Sequence, residues 1–153
     1  MTTTDKLTGL LGRQDFDRAL TQACEQWEGV ALTLIDVDYF KEINDTYGFE
    51  VGDTVLQAIA MALAAVAPGA TFRLGGDEFA LLLDSSLEQT FLRIEAVRAA
   101  IEQQVLASLP AERRMTITAG VAHYPRDAKP GQRSIAPKRE VAIRSAYRQQ
   151  KRW

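Results

Sequence analysis

The sequence predicts a mixed α/β domain with helices packed on a sheet, and three observations predict it. Helix-period apolar stripes alternate with short, almost wholly apolar runs. One of those runs, Val30 to Ile35, suits a strand covered on both faces. Two others, on either side of Gly75-Gly76, read as an antiparallel hairpin, because tight turns of that kind need positive φ. An antiparallel pair inside an interleaved order gives a mixed sheet close to a split βαβ plan.

The elements follow in order. Asp5-Lys6-Leu7-Thr8-Gly9-Leu10-Leu11-Gly12 is turn-rich. Phe16, Leu20, Ala23, Cys24 and Trp27 recur at helical spacing, with Gly29 as the expected stop. The strand from Val30 ends at Asp36-Val37-Asp38, and Asp38 is the expected N-cap of a short helix from Tyr39 to Asn44. Gly48 and Gly52 are expected to break the chain, so that Asp53 or Thr54 starts a long helix to Val66, ended by Pro68-Gly69. The hairpin occupies Ala70 to Asp84. Ser85 or Ser86 caps the next helix, whose stripe is Leu87, Phe91, Ile94, Val97, Ile101 and Val105. Met115 to Tyr124 reads as a strand, Pro125 to Ser134 as a loop, and Pro137 to Gln150 as a last helix.

At 153 residues the chain is expected to form one domain, 1–153, with one good core. A net charge of -2 gives no electrostatic argument for nucleic acid or a membrane surface. The one cysteine, Cys24, rules out an internal disulfide and reads as a core residue. No N-terminal stretch resembles a signal peptide, and the longest apolar run, Ala58 to Ala67, is too short to span a bilayer. A cytoplasmic location is the resulting expectation. The stretch from Lys129 to Arg152 is basic, which ordinarily means a solvated helix face, and it lacks the aromatic pattern of a nucleic-acid binder.

The chemistry-bearing residues fall on three segments. Asp36 and Asp38 lie at the exit of the first strand, and Asp77 and Glu78 at the hairpin tip. If that strand lies beside the hairpin, Asp36 and Asp77 share one site. Carboxylates that close repel unless a cation lies between them. Magnesium usually takes one or two carboxylates and completes its shell with phosphates. Such a site suits phosphoryl or nucleotidyl transfer. Gly75 and Gly76 allow phosphates to approach the backbone closely. Lys41 can meet phosphate, and Asn44 with Asp53 can read a purine edge. Each also has an ordinary role: Asp38 as a cap, Lys41 as a surface lysine, Asn44 and Asp53 as turn residues, Glu78 as a solvated carboxylate. The lone His123 has no Cys or His partner nearby in sequence for a metal role.

Together these segments resemble the GGDEF family of diguanylate cyclases, named for the run Gly75-Gly76-Asp77-Glu78-Phe79. Asp5-Lys6-Leu7-Thr8-Gly9-Leu10 resembles its opening motif. Asp36-Val37-Asp38-Tyr39-Phe40-Lys41-Glu42-Ile43-Asn44-Asp45, then Gly48 and Gly52-Asp53, resembles its second, and Thr118 to Ala122 its late strand. The resemblance implies a palm-like, largely antiparallel sheet of the nucleotidyl-cyclase, ferredoxin-like kind. It implies condensation of two GTP molecules to cyclic di-GMP with release of pyrophosphate, across a homodimer. By position it implies magnesium (manganese being an alternative) on Asp36, Asp77 and the Val37 carbonyl. It implies that Glu78 helps to deprotonate the 3′-hydroxyl or binds metal. Asn44 and Asp53 match the guanine contacts, Lys41 a phosphate contact, and Phe40, Gly75 and Gly76 the adjoining substrate-binding backbone.

The chain also departs from the family pattern. Val66-Ala67-Pro68-Gly69 stands where an Arg-x-x-Asp product site often lies, Gly12-Arg13 where Asn-Arg is usual, and Phe49 where histidine is usual. In the last helix the phosphate-binding lysine falls on Tyr147 and the following arginine on Lys151, with Arg144 and Arg148 as neighbouring substitutes. The intact hairpin run and Asp36 argue for an enzyme. The altered last helix argues for a GTP-binding regulatory module. A related palm enzyme with another cyclic product is a third reading, and Asn44 and Asp53 count against it. Family members usually carry a sensory or dimerising domain ahead of the opening motif, so such a partner domain is expected to be missing here.

Overall fold

The computed structural model describes residues 4–124. The expected last helix, its preceding loop, and Arg144, Tyr147, Arg148 and Lys151 lie outside those residues. The elements are α1 (Arg13–Gln26), β1 (Val30–Val37), α2 (Phe40–Tyr47), α3 (Phe49–Val66), β2 (Thr71–Gly75), β3 (Glu78–Leu83), α4 (Leu87–Gln103) and β4 (Ile117–Tyr124). The four strands form one sheet in the order β2-β3-β1-β4, with every neighbouring pair antiparallel. β1 and β2 therefore run parallel with β3 between them, and β3 and β4 run parallel with β1 between them. These are two split βαβ units, the ferredoxin-like plan expected from the sequence.

Both faces of the sheet are covered. Alternation along each strand sends successive side chains to opposite faces. Ala31, Ile35 and Val37 of β1 join Phe79, Leu81 and Leu83 of β3 in the larger core, against α3 and α4. Val30, Leu32 and Leu34 join Phe72, Ala80 and Leu82 in a second core against α1. There Phe16 of α1 meets Phe72 of β2 edge-on, with ring centroids 5.5 Å apart. Cys24 is buried in this second core, as its spacing predicted. This double cover is why Val30 to Ile35 lacks the polar alternation of a one-sided strand.

Several boundaries differ from expectation. α1 ends at Gln26, before Gly29, with Trp27 as C-cap. Asp38 does not cap α2; that position belongs to Tyr39, in the left-handed region at φ 57°. Gly48, at φ 95°, is the break between α2 and α3. α3 then begins at Phe49, four residues before the expected start, and runs straight through Gly52. α3 is 18 residues long, and by length and composition it is apolar enough to cross a membrane. Here Val55, Leu56, Ile59, Ala60 and Leu63 place it in the larger core. Ser86 caps α4 by accepting from the Gln89 N–H at 3.1 Å. Phe91 is 48% exposed and Val105 lies beyond the helix at 72%, so neither belongs to the buried stripe, which holds Ile94, Val97 and Ile101.

Candidate functional site

β1 runs through the middle of the sheet and delivers Asp36 to its end, directly opposite Glu78 of β3. One position further on, the Val37 N–H donates to the Asp77 carbonyl at 3.2 Å. That bond makes Val37 and Asp77 the hydrogen-bonded pair and leaves Asp36 and Glu78 as the close, non-hydrogen-bonded pair. In such pairs Cα atoms lie about 4.5 Å apart and the side chains face each other on one side of the sheet. Like charges in that position are destabilising, and a cation between them reverses the sign. Asp77 occupies the turn beside this pair. The expected meeting of Asp36 with the hairpin tip is thus present in the strand register.

The turn is short because Gly76 adopts φ 40°, which only glycine takes at no steric cost. It is also tied down from outside. Arg73 donates from Nε and Nη2 to the Gly76 carbonyl, at 3.1 and 2.8 Å. Its Nη1 donates to both carboxylate oxygens of Asp5 at 3.0 Å. Asp5 in turn accepts from the Thr8 N–H at 2.9 Å and the Thr8 hydroxyl at 2.6 Å. Partial burial raises the Asp5 pKa, but these bonds from Thr8 and Arg73 outweigh it and hold the carboxyl below its usual value. The opening motif is therefore a folded loop clasped to the hairpin. A cleft of about 850 Å³ lies along the seam, lined in part by Asp5, Lys6, Arg13, Arg73, Gly75 and Gly76. Sequence reasoning missed Arg73. The only signal was a cation two residues ahead of a glycine pair.

Asp38 belongs elsewhere. Its carboxylate accepts from the Thr118 hydroxyl on β4, and its N–H donates to the Thr116 carbonyl at 2.9 Å. The structure thus joins Asp38 to the late strand rather than to the Asp36–Glu78 pair. Tyr39 follows, 67% exposed, with the Arg113 guanidinium 5.7 Å above its ring.

The expected base-reading pair comes from two helices. Asn44 lies on α2 and Asp53 on α3, joined by the turn at Gly48. The Asn44 carboxamide rests on the backbone of Gly52, the residue before Asp53. Lys41 is exposed on the first turn of α2. Phe40 is half-buried and packs on the larger core. Gly75 and Gly76 are exposed at the hairpin tip.

Among the described residues no group of three or more His, Cys, Asp or Glu is placed to hold a metal ion. The two carboxylates that face each other are Asp36 and Glu78, on neighbouring strands, and Asp77 follows in the adjoining turn. That set fits a hard cation that takes one or two carboxylates from protein and the rest of its shell from phosphates.

The family model described as "Diguanylate cyclase, GGDEF domain" matches residues 2–151. Diguanylate cyclase DgcM of Escherichia coli K12 is 39% identical over 127 residues, which is 78% of this chain and 30% of that protein. An uncharacterised membrane protein of Staphylococcus aureus USA300 is 34% identical over 140 residues, 86% of this chain and 39% of that protein. The chain thus spans 30 to 39% of the length of these curated relatives. Among solved structures, the GGDEF domain of DgcB from Caulobacter crescentus in complex with c-di-GMP superposes with a TM-score of 0.80. It is 30% identical, covering 97% of this chain and 90% of that one.

Proposed function

This chain belongs to the GGDEF family of diguanylate cyclases, and from that premise we propose that it condenses two GTP molecules into cyclic di-GMP. The observation that carries the reading is the register of β1 against β3, which sets Asp36 opposite Glu78 with Asp77 in the adjoining turn. In each of two steps a ribose 3′-oxygen attacks the α-phosphorus of the other nucleotide. The bond from that phosphorus to pyrophosphate breaks, and the hydroxyl proton leaves to a base. Glu78 is the residue assigned to receive that proton. Asp36 and Asp77, with the Val37 carbonyl, are the groups assigned to hold magnesium or manganese, which when bound supplies charge stabilisation at the reacting phosphate. Lys41 is assigned to phosphate, with the backbone of Phe40, Gly75 and Gly76 beside it, and Lys151 is the candidate second cation. Asn44 and Asp53 are assigned to the guanine edge, where an amide and a carboxylate complement its acceptor and its N–H groups.

One nucleotide per subunit makes a homodimer the working unit. We assign the domain to the cytoplasm and its control to a sensory or regulatory domain of a longer protein, consistent with relatives about three times its length. A module that binds GTP without turning it over is the competing reading, and it rests on Tyr147 and Lys151 standing at the family's phosphate-clamp positions.

The test is to incubate concentrated protein with GTP and magnesium and to separate the products by chromatography, with Asp77→Ala alongside. Cyclic di-GMP from the unmodified chain only is the expected result. GTP bound but unconverted by both proteins would favour the regulatory module.

A further inference from the structure

Gly52 lies inside α3, where glycine is the least favoured residue after proline. Its φ is an ordinary helical one, so the backbone does not require glycine there. What requires it is a neighbour. A Cβ at position 52 would fall 1.8 Å from Asn44 Oδ1 and 3.0 Å from its Cγ. The next nearest atom, Phe40 Cε1 at 3.5 Å, is in ordinary contact distance. Asn44 Oδ1 is buried and accepts no hydrogen bond. With no bond to orient that end of the carboxamide, packing against the bare α3 backbone holds it.

We propose that Gly52 is a positioning residue for nucleobase recognition: its missing side chain forms the seat of the Asn44 carboxamide. This rests on the assignment of Asn44 to the guanine edge. Any side chain at position 52 turns that carboxamide away from the base while leaving α3 intact. The clash falls on the end of a short side chain that can rotate, so folding tolerates the substitution and recognition does not.

The experiment compares the full chain with Asn44→Ala, Gly52→Ala and the double variant. Calorimetry measures binding of non-hydrolysable α,β-methylene analogues of GTP and ATP, and thermal melts accompany it. Gly52→Ala is expected to melt at or above the unmodified protein, since alanine favours a helix interior. It is expected to bind the guanine analogue about tenfold more weakly, the size of one lost hydrogen bond, with the adenine analogue unaffected. Asn44→Ala should do the same, and the double variant should be no weaker than either single one. Unchanged guanine binding by Gly52→Ala, with Asn44→Ala impaired, overturns the inference and leaves the base assignment standing. So does an additive loss in the double variant. Unchanged binding by Asn44→Ala removes the base assignment, and the inference falls with it. If Gly52→Ala fails to fold, folding restored in the double variant upholds the contact, and folding not restored overturns it.

Discussion

Asp53 is exposed on α3, directly after the glycine that seats Asn44. Serine in its place removes a charged acceptor from the proposed guanine edge. The expected outcome of Asp53→Ser is a rise of about tenfold in the ATP-to-GTP rate ratio, measured with each nucleotide in turn; an unchanged ratio would refute the assignment. Asp5 makes a different prediction. Its folded pKa is depressed by the bonds from Thr8 and Arg73. A depressed carboxyl contributes stability above its unfolded pKa of about 3.9 and loses it as pH falls through the lower folded value. Asp5→Asn should therefore lower the melting temperature at neutral pH and flatten its fall in acid below about pH 4, read from melts across a pH series. In the sequence Asp77 and Glu78 stand out as carboxylates directly after a glycine pair, and Asp36 as one at the end of an apolar run. The sequence hid the bond between Asp38 and Thr118, 80 residues apart, because pairing at that distance is a property of the sheet register. It hid the role of Arg73 for the same reason, its partner Asp5 being 68 residues away.

At the scale of the elements, the strands were the readable part. Their apolar runs reflect burial on two faces, which leaves a mark on every residue. Helix ends were less readable, because a glycine has two uses. Gly48 uses its freedom to take φ 95° and does end a helix. Gly52 uses only its lack of side chain, so the same letter marks a close approach inside a helix. Treating both as breaks moved the start of α3 to Asp53 or Thr54. The far end of α3 carries another prediction. Val66, Ala67, Pro68 and Gly69 place no charged side chain where the family often has an arginine and an aspartate. Cyclic di-GMP is therefore expected not to inhibit through this stretch. Initial rates with added product, compared between the unmodified chain and Pro68→Ala, should be indistinguishable; inhibition that responds to the substitution would refute this.

The whole molecule supplies half of a proposed two-nucleotide site. A reaction that needs two loaded subunits depends on how many pairs exist. Doubling the protein concentration should more than double the initial rate of cyclic di-GMP formation, until all subunits are paired. A rate strictly proportional to concentration throughout a dilution series that dissociates the dimer would refute the shared site. At this scale the split βαβ plan was legible, since a hairpin inserted between helices leaves few ways to build one, whereas the strand order β2-β3-β1-β4 came only with the structure. The Arg73 contacts have a consequence at this scale too. The tip of a hairpin is ordinarily where a sheet frays first. Here the tip is moored, through one guanidinium, to the loop that carries Asp5. Lysine would keep the charge and lose the mooring, because a single ammonium lacks the fork that spans both partners. The turn that carries Asp77 and the loop of residues 5–11 are thereby coupled, so that loosening one withdraws a support from the other.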